Sequence, residues 1–452
     1  MIGTKQVLMA DSQRLAAAAA RAKGQLSPRT HTTTTTASVT ASLEVSWEMA
    51  SNSSTEDETD TRTDKTHCSN LSGHAVRRTT EEFVQDLPIR EAVAKTASSQ
   101  KISDILLNAK LVGKPTVSFE FFPTEISDDN KSLLEQIERV CFELRPSFVS
   151  LTYSSSCKDE APVIELAEII QQRFGVPVLF HLTCHRAPAH LEKVLAQLRE
   201  HGLRNVLALR GDLPLTNGDE RAHSNVAWDQ AKVHNGFSHA YELVELIRAK
   251  HGNYFCVAVG GYPETHLGCW NSVHLLPSEQ ARAKDLLFLK QKVDAGADFI
   301  ISQFVYEPEI FLTWRDACKQ LGITVPIVPG YMPLQRYSIF EKYVSWCRAK
   351  VPPTMWKNVQ LLRRDHEAIA TYGVKMAVAH LRTLIGPHSS SSGTSSSATT
   401  TFPPCHSIHL FTHNLTGPSL TKILKKLQLL PFYGRRRYNG AIQCLQMPQN
   451  LA

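Results

Sequence analysis

Glu120 is the residue of this sequence with the clearest capacity for chemistry. It stands between large apolar side chains in the segment Val117-Ser118-Phe119-Glu120-Phe121-Phe122-Pro123. Burying a charged carboxylate among such neighbours is costly, so we expect the pKa of Glu120 to be raised. A carboxyl group with a raised pKa can hold and donate a proton near neutral pH. The alternative is a structural Glu at the end of a buried strand, paired in a salt bridge.

Strand-like segments surround and follow Glu120. Most are near-continuous apolar runs, as expected for parallel strands buried on both faces. Because helical patterns lie between them, they predict a (β/α)8 barrel rather than an open sheet. The predicted strands are Thr116–Phe122, Ser147–Tyr153, Val178–Cys184, Asn205–Arg210, Tyr254–Gly260, Phe299–Val305, Val325–Pro329 and Ser407–Thr412.

The segments between these strands have the periodicity of helices with one apolar face. Gly202 is suited to end the second of the helices. The apolar faces are Leu133, Leu134, Ile137, Val140, Cys141 and Leu144; Leu191, Val194, Leu195 and Leu198; Leu243, Leu246 and Ile247; and Leu286, Leu287, Leu289 and Val293.

Polar residues stand at the ends of most predicted strands. In (β/α)8 barrels the chemistry lies at the C-terminal ends of the strands, so these side chains should line one mouth. No Gly-x-Gly-x-x-Gly segment follows a predicted strand, and a nucleotide cofactor would therefore bind at this mouth. The strand-end residues are Glu120, Thr152, His181, Thr183, Arg210, Asp212, Tyr262, Gln303, Thr412 and Asn414.

The 452 residues exceed the ~250 that such a barrel uses, and the excess has a biased composition. Residues 1–78 contain an Ala run, a Thr run and a stretch rich in Ser, Thr, Asp and Glu. We predict a disordered extension there, because little apolar surface offsets the entropy of ordering. We assign residues 79–437 to the barrel, with a Ser-rich insertion at 387–406, and residues 438–452 to a tail.

The net charge of +6 is spread along the chain, apart from Lys422, Lys425, Lys426 and Arg435–Arg437. We interpret this basic stretch as a solvated helix face and tail rather than a nucleic-acid surface. No run of ~18 apolar residues predicts a membrane helix. The ten cysteines show no Cys-x-x-Cys pair and no metal-ligand spacing. We therefore expect no nucleic acid, no membrane and no metal as partners.

Cysteines without such a pattern are typical of reduced thiols in the cytosol. The N-terminus is basic, poor in acidic residues and rich in Ala, Ser and Thr, which is also the composition of organelle transit peptides. We expect a cytoplasmic protein, with a mitochondrial one as the alternative, and we expect it to assemble as a homo-oligomer.

Seven motifs occur in order along the chain: Val117–Pro123, Phe148–Tyr153, His181–Cys184, Ala208–Asp212, Gly261–Glu264, Lys292–Asp298 with Gln303-Phe304, and Pro326–Gly330. Together they resemble methylenetetrahydrofolate reductase, from about residue 101 to about residue 429. The resemblance implies a flavin-dependent (β/α)8 barrel. It implies hydride transfer from NADH or NADPH, through noncovalent FAD, to 5,10-methylenetetrahydrofolate, giving 5-methyltetrahydrofolate.

The resemblance also assigns roles to residues. Glu120 matches the general acid that helps open the five-membered ring of the folate, and Asp212 matches an acid beside the flavin and the pterin. Asp212, Gln303 and Phe411 match substrate-contacting positions. The flavin-contacting positions are matched by Thr152, Tyr153, His181, Arg210, Gly211, Asp212, Ala240, Tyr262, His266, Asp285 and Lys292.

Structural explanations are open for several of these residues. Asp285 and Lys292 could be exposed helix residues, Tyr153 and Tyr262 could be core aromatics, and Thr152 could be a strand former. The ordered motifs favour the flavin assignments over these explanations.

The sequence departs from the family pattern where the folate should bind. The family ends its last strand with Tyr-Thr-Leu-Asn-Arg, whereas this chain has Phe411-Thr412-His413-Asn414-Leu415. A hydroxyl and a guanidinium are missing, and no basic residue follows before Lys422, so we expect weaker folate binding. Leu267-Gly268-Cys269 and a longer loop replace the family's Pro-Glu-Ala after His266. We expect the regulatory domain of eukaryotic members, which binds S-adenosylmethionine, to be absent.

Two other hypotheses stay open beside the folate reductase. One is a related flavin barrel of the proline dehydrogenase type, and the other is a flavin-binding barrel that has lost catalysis and acts as a scaffold. Reduction of methylenetetrahydrofolate would distinguish the folate reductase from both of these alternatives. The sequence does not choose between NADH and NADPH.

Overall fold

The computed structural model of the chain describes residues 100–123, 127–152, 159–211, 236–269, 277–386 and 404–430. The predicted extension at residues 1–78, the tail at 438–452 and most of the Ser-rich insertion lie outside these ranges, as do Tyr153 and Asp212. The domain boundaries therefore stay predictions.

The described strands form a closed parallel barrel, which confirms the predicted (β/α)8 fold. Closure is direct, because β1 pairs in parallel with both β2 and β8. Each predicted strand overlaps an observed one. The strands are β1 Thr116–Phe121, β2 Phe148–Leu151, β3 Val178–Thr183, β4 Asn205–Leu209, β5 Cys256–Gly261, β6 Phe299–Phe304, β7 Ile327–Tyr331 and β8 Ser407–Phe411.

Helices separate the strands in the order expected for this fold. Within the described ranges, one α-helix precedes β1, one follows each of β1 to β6, three follow β7, and one follows β8; a short 3-10 helix, Leu267–Cys269, also follows β5. The α-helices are α1 Ile102–Val112, α2 Ser127–Glu143, α3 Ala161–Phe174, α4 Pro188–Glu200, α5 Ala240–His251, α6 Glu279–Asp294, α7 Pro308–Gln320, α8 Tyr337–Cys347, α9 Pro353–Leu362, α10 His366–Ile385 and α11 Pro418–Lys426.

The strands are buried on both faces, and their alternation decides which residues can form a site. On β1, Phe119 and Phe121 join the core between strands and helices, so Ser118 and Glu120 point into the barrel. The other end of the interior is closed by α1. There the backbone N–H of Ile102 donates to Oδ1 of Asn205, at the start of β4, over 2.8 Å. The polar interior positions are therefore left at the C-terminal mouth.

The predicted helical faces are correct for α2 and α4. On α6, Leu286, Leu289 and Val293 pack against the core as predicted, and Leu287 does not. On α6, Leu287 is 45% exposed, whereas Asp285, Leu289 and Lys292 are buried. The reason is the neighbour of this helix, since the Lys292 ammonium donates to the carbonyl oxygen of Gly260 on β5 over 2.6 Å. The inner face of α6 lies against polar groups at the mouth, and hydrophobic periodicity alone does not detect such a face.

Candidate active site at the barrel mouth

Glu120 lies inside the barrel near the end of β1 and is 5% exposed. Its Oε2 is 3.9 Å from Nε2 of His181 on β3 and 3.8 Å from Nε2 of His409 on β8. Both distances exceed that of a direct hydrogen bond. The sequence analysis identified Glu120 and His181 but missed His409. The available signal was a polar residue in the middle of an otherwise apolar strand.

Hydroxyl groups hold the two imidazoles in place. The hydroxyl of Ser118 is 2.8 Å from Nδ1 of His409, and that of Thr152 is 2.7 Å from Nδ1 of His181. Both rings therefore present Nε2 toward Glu120. Among the described residues, Nε2 of His181 is buried and has no hydrogen-bond partner. A buried polar atom in this state is a position where a ligand can bond.

The predicted rise in the pKa of Glu120 is wrong. Burial alone raises the pKa of this carboxyl, but the contact with His409 and the charges of His181, His409 and His413 outweigh it, and the pKa lies below its ordinary value. Along the strand, Glu120 has large apolar neighbours that favour a raised pKa. The imidazoles come from β3, β8 and the segment after β8, and only barrel closure brings them to the carboxylate.

The histidines respond in the opposite direction. Burial lowers the pKa of His181 to about 4 and that of His413 to about 4, although the charge of Glu120 opposes both shifts. At neutral pH the free protein therefore holds a carboxylate next to neutral imidazoles at these two positions.

His413 follows β8 and lies in a stack of aromatic rings. Its ring centroid is 3.6 Å from that of Tyr343 on α8 and 5.1 Å from that of Phe122. Its backbone is left-handed, with φ of 49°, and so is that of Asn414, with φ of 58°. The Asn414 amide stabilises this turn, because it accepts from the N–H of Phe122 and donates to the carbonyl of Phe122, each over 2.9 Å. In the sequence, His413 stands out only as a departure from the family pattern, and its place beside Glu120 was not predicted.

A second group of polar residues lies at the end of β5. The Lys292 ammonium is 5.6 Å from the centre of the Tyr262 ring, which packs edge-on against His266 at 4.4 Å. Asp285 and Lys292 are 6% and 8% exposed. The alternative that these two are exposed helix residues is therefore wrong.

The pKa values of this second group show that its members share one buried environment. Burial lowers the pKa of Lys292 to about 8 and raises that of Asp285 to about 6, and each charge opposes the shift of the other. Burial also lowers the pKa of His266 to about 3, assisted by the positive charges of Lys292 and Arg210. Perturbed titratable groups clustered in a cleft are typical of functional sites.

Gly211 lies just beyond the end of β4, and Ala240 is the first residue of α5. Gly211 has φ of 80°, and a Cβ there would lie 2.8 Å from Cγ2 of Thr183. Only glycine suits that backbone and that close approach. The Arg210 Nε donates to the carbonyl of Ser238 over 3.2 Å, just before Ala240 begins α5.

The two described residues with predicted substrate contacts lie on either side of β7. Gln303 stands in a register shift of β6, an irregularity that can re-aim a side chain, and its Oε1 accepts from the N–H of Phe304 over 3.0 Å. Phe411, at the end of β8, packs edge-on against Phe304 at 6.0 Å and against His409 at 5.1 Å.

The sequence profile of one known family covers most of this barrel. The family is described as "Methylenetetrahydrofolate reductase", and its profile matches residues 105–396. The chain belongs to the methylenetetrahydrofolate reductase family. The resemblance seen in the ordered motifs is thereby confirmed.

Curated members of the family from three kingdoms match the chain. A "Probable methylenetetrahydrofolate reductase (NADH)" of Oryza sativa is 35% identical over 277 residues, 61% of this chain and 45% of the relative. A "Probable methylenetetrahydrofolate reductase (NADPH)" of Caenorhabditis elegans is 31% identical over 342 residues, 73% and 45% of the two chains. The "5,10-methylenetetrahydrofolate reductase" of Pectobacterium carotovorum is 32% identical over 277 residues, which are 61% of this chain and 83% of the relative. The chain thus spans less than half the length of the plant and nematode relatives.

Within this methylenetetrahydrofolate reductase barrel, the residues predicted to contact flavin lie in two places. Thr152 and His181 belong to the Glu120 cluster. The others lie around the ends of β4 and β5, and they are Arg210, Gly211, Ala240, Tyr262, His266, Asp285 and Lys292. Tyr153 and Asp212 lie outside the described residues. The flavin contacts themselves stay predictions.

The histidines around Glu120 do not form a metal centre, since no group of three or more potential ligands in the described ranges is arranged to hold a metal ion. The cysteines of those ranges are free thiols. No helix described in the structure has the length and apolar character needed to cross a membrane.

Proposed function

We propose that the chain reduces 5,10-methylenetetrahydrofolate to 5-methyltetrahydrofolate, with hydride that comes from NADH or NADPH by way of bound FAD. The observation that carries the proposal is a buried carboxylate with two imidazoles at the mouth of a barrel of this family, formed by Glu120, His181 and His409. Curated relatives carry both NADH and NADPH in their names, so the donor is a matter for experiment.

The residues at the ends of β4 and β5 fit a flavin cofactor. The hydroxyls and diphosphate of FAD need cationic and hydrogen-bonding partners, which Lys292 and Arg210 can supply. Gly211 allows a ligand or a neighbouring loop to approach the backbone closely. The buried Nε2 of His181 offers a further hydrogen-bonding position. When bound, FAD supplies the hydride chemistry that amino-acid side chains lack.

Glu120 is proposed to act on the folate and not on the nicotinamide. Its lowered pKa leaves it ionised in the free protein, which suits attraction to the cationic iminium form of the opened folate. A substrate that covers the mouth excludes water and makes the charge costlier, so the carboxyl gains a proton more readily in the complex. His181 and His409 position the carboxyl on opposite sides, and Thr152 and Ser118 hold these rings.

A turnover assay tests the proposal. The purified protein, supplied with FAD, is mixed without oxygen with NADH or NADPH, and flavin absorbance is followed before and after 5,10-methylenetetrahydrofolate is added. We expect bleaching by at least one nicotinamide, recovery on addition of the folate, and formation of 5-methyltetrahydrofolate. Bleaching by proline would instead favour the proline dehydrogenase type. Flavin binding without folate reduction would refute the proposal and favour a scaffold.

A further inference from the structure

An aromatic and cationic surface extends from the Glu120 cluster to the solvent. On α8, Tyr343 is partly buried and stacks on His413, whereas Trp346 is 59% exposed. The centroids of the Tyr343 and Trp346 rings are 5.4 Å apart. The ammonium of Lys342 is 4.3 Å from the centre of the Trp346 ring. We define Lys342, Tyr343 and Trp346 as the α8 patch.

The α8 patch lies beside the reacting end of the barrel. Burial and the negative charge of Glu120 both raise the pKa of Tyr343, and the positive charge of Lys342 contributes to the lowered pKa of His413. In the part of the chain that the structure describes, three α-helices follow β7 where each other strand is followed by one, and α8 is the first of the three. The stack of Tyr343 on His413 shows that this additional helix lies near the end of β8.

The chemistry of the α8 patch suits a flat aryl ring that carries a carboxylate. An exposed indole offers a face for stacking, and a lysine ammonium next to it offers a charge-assisted hydrogen bond to a carboxylate. Folates have both features in one tail, an aminobenzoyl ring joined to glutamate. The pterin and the one-carbon unit would then lie deeper, toward Glu120.

Resting on the proposed function, we propose that the α8 patch binds the aryl-glutamate tail of the folate, with Trp346 against the ring and Lys342 paired with a carboxylate. Lys342 would supply the positive charge that Leu415 does not. Along the chain, the first basic residue after Leu415 is Lys422. In space the two segments are adjacent, since the Gln335 amide, just before α8, donates to the carbonyl of Leu415 over 2.9 Å.

The first test measures the KM for methylenetetrahydrofolate in wild type, Lys342→Met, Lys342→Arg and Trp346→Ala. The matched control is Lys193→Met, an exposed lysine on α4, between β3 and β4. An exposed ion pair predicts a rise of KM of up to about fivefold for Lys342→Met, with rescue by Lys342→Arg. Added salt should raise the KM of wild type and leave that of Lys342→Met nearly constant. An unchanged KM in Lys342→Met, or an equal rise in Lys193→Met, would overturn the proposal.

The second test needs no turnover. Binding of p-aminobenzoylglutamate and of p-aminobenzoate, which lacks the glutamate, is followed through quenching of tryptophan fluorescence. Wild type should bind the glutamate compound more tightly, and Lys342→Met should bind the two alike. Equal binding of both compounds by wild type would contradict the proposal. Because this readout is independent of reduction, it judges the α8 patch even if the wild-type protein fails to reduce folate.

Discussion

Glu120→Gln separates the two half-reactions, since Glu120 is proposed to act on the folate alone. Gln keeps the volume and loses both the charge and the proton. A general acid contributes ~100-fold or more to rate, which corresponds to ~2.7 kcal/mol in the barrier of the folate step. Reduction of the flavin by nicotinamide should stay near the wild-type rate. Stopped-flow absorbance of the flavin measures both half-reactions separately.

The structure predicts that this loss comes without unfolding. Burial is the largest influence on the pKa of Glu120 and opposes its charge, whereas the histidines favour the charge. Because His181 and His413 titrate at about 4, Glu120→Gln leaves no buried imidazolium without a partner at these positions at neutral pH. We therefore expect the free energy of unfolding to change by about 1 kcal/mol or less. Thermal melting checks this expectation.

Glu160→Gln is the matched control. Glu160 is another buried carboxylate, 4% exposed, with Nε2 of His190 3.0 Å from its Oε1, and it precedes α3. We expect this variant to leave both half-reactions intact. The reasoning is refuted if Glu120→Gln slows flavin reduction as much as folate reduction, or if the two variants behave alike, because Glu120 would then be structural.

Four further predictions concern the second group of residues and the folate end. Gly211→Ala should lower the free energy of unfolding by about 1 kcal/mol or more, because the φ of Gly211 is 80°. A lower melting temperature and weaker FAD binding in titrations would show this, whereas wild-type values of both would show that the loop adapts. Lys292→Met should weaken FAD binding about tenfold or more, measured as the FAD dissociation constant in equilibrium dialysis. Equal dissociation constants in the variant and in wild type would show that Lys292 does not bind the cofactor. The pKa of Asp285 rises from 3.8 to about 6 on folding, so the folded state binds more protons between these values. The free energy of unfolding should therefore fall as pH rises through this range, and denaturant titrations should show a flatter profile for Asp285→Asn. Leu415→Arg combined with Phe411→Tyr should lower the KM for folate, and by more in the Lys342→Met background than in wild type, because Lys342 is proposed to supply the charge that Leu415 lacks. An unchanged KM in both backgrounds would mean that the local alignment is wrong.

The strands of this barrel were predictable because each has a local signature. Parallel strands that are buried on both faces are continuous apolar runs, and the prediction Val178–Cys184 differs from the observed Val178–Thr183 by one residue. The buried faces of the helices were harder to predict. The face of α2 follows its apolar spacing, whereas α6 turns Asp285 and Lys292 inward because they meet the backbone and rings at the end of β5.

The sequence by itself determined the fold class, the family and the position of Glu120, since each depends on residue type and order along the chain. Only the tertiary structure decided the charge state of that site. Electrostatic interactions depend on distance in space, and His181, His409 and His413 reach Glu120 only after the barrel closes. For the same reason the sequence placed no cation near Leu415, whereas the fold brings the Lys342 helix beside it through contacts between segments about 80 residues apart.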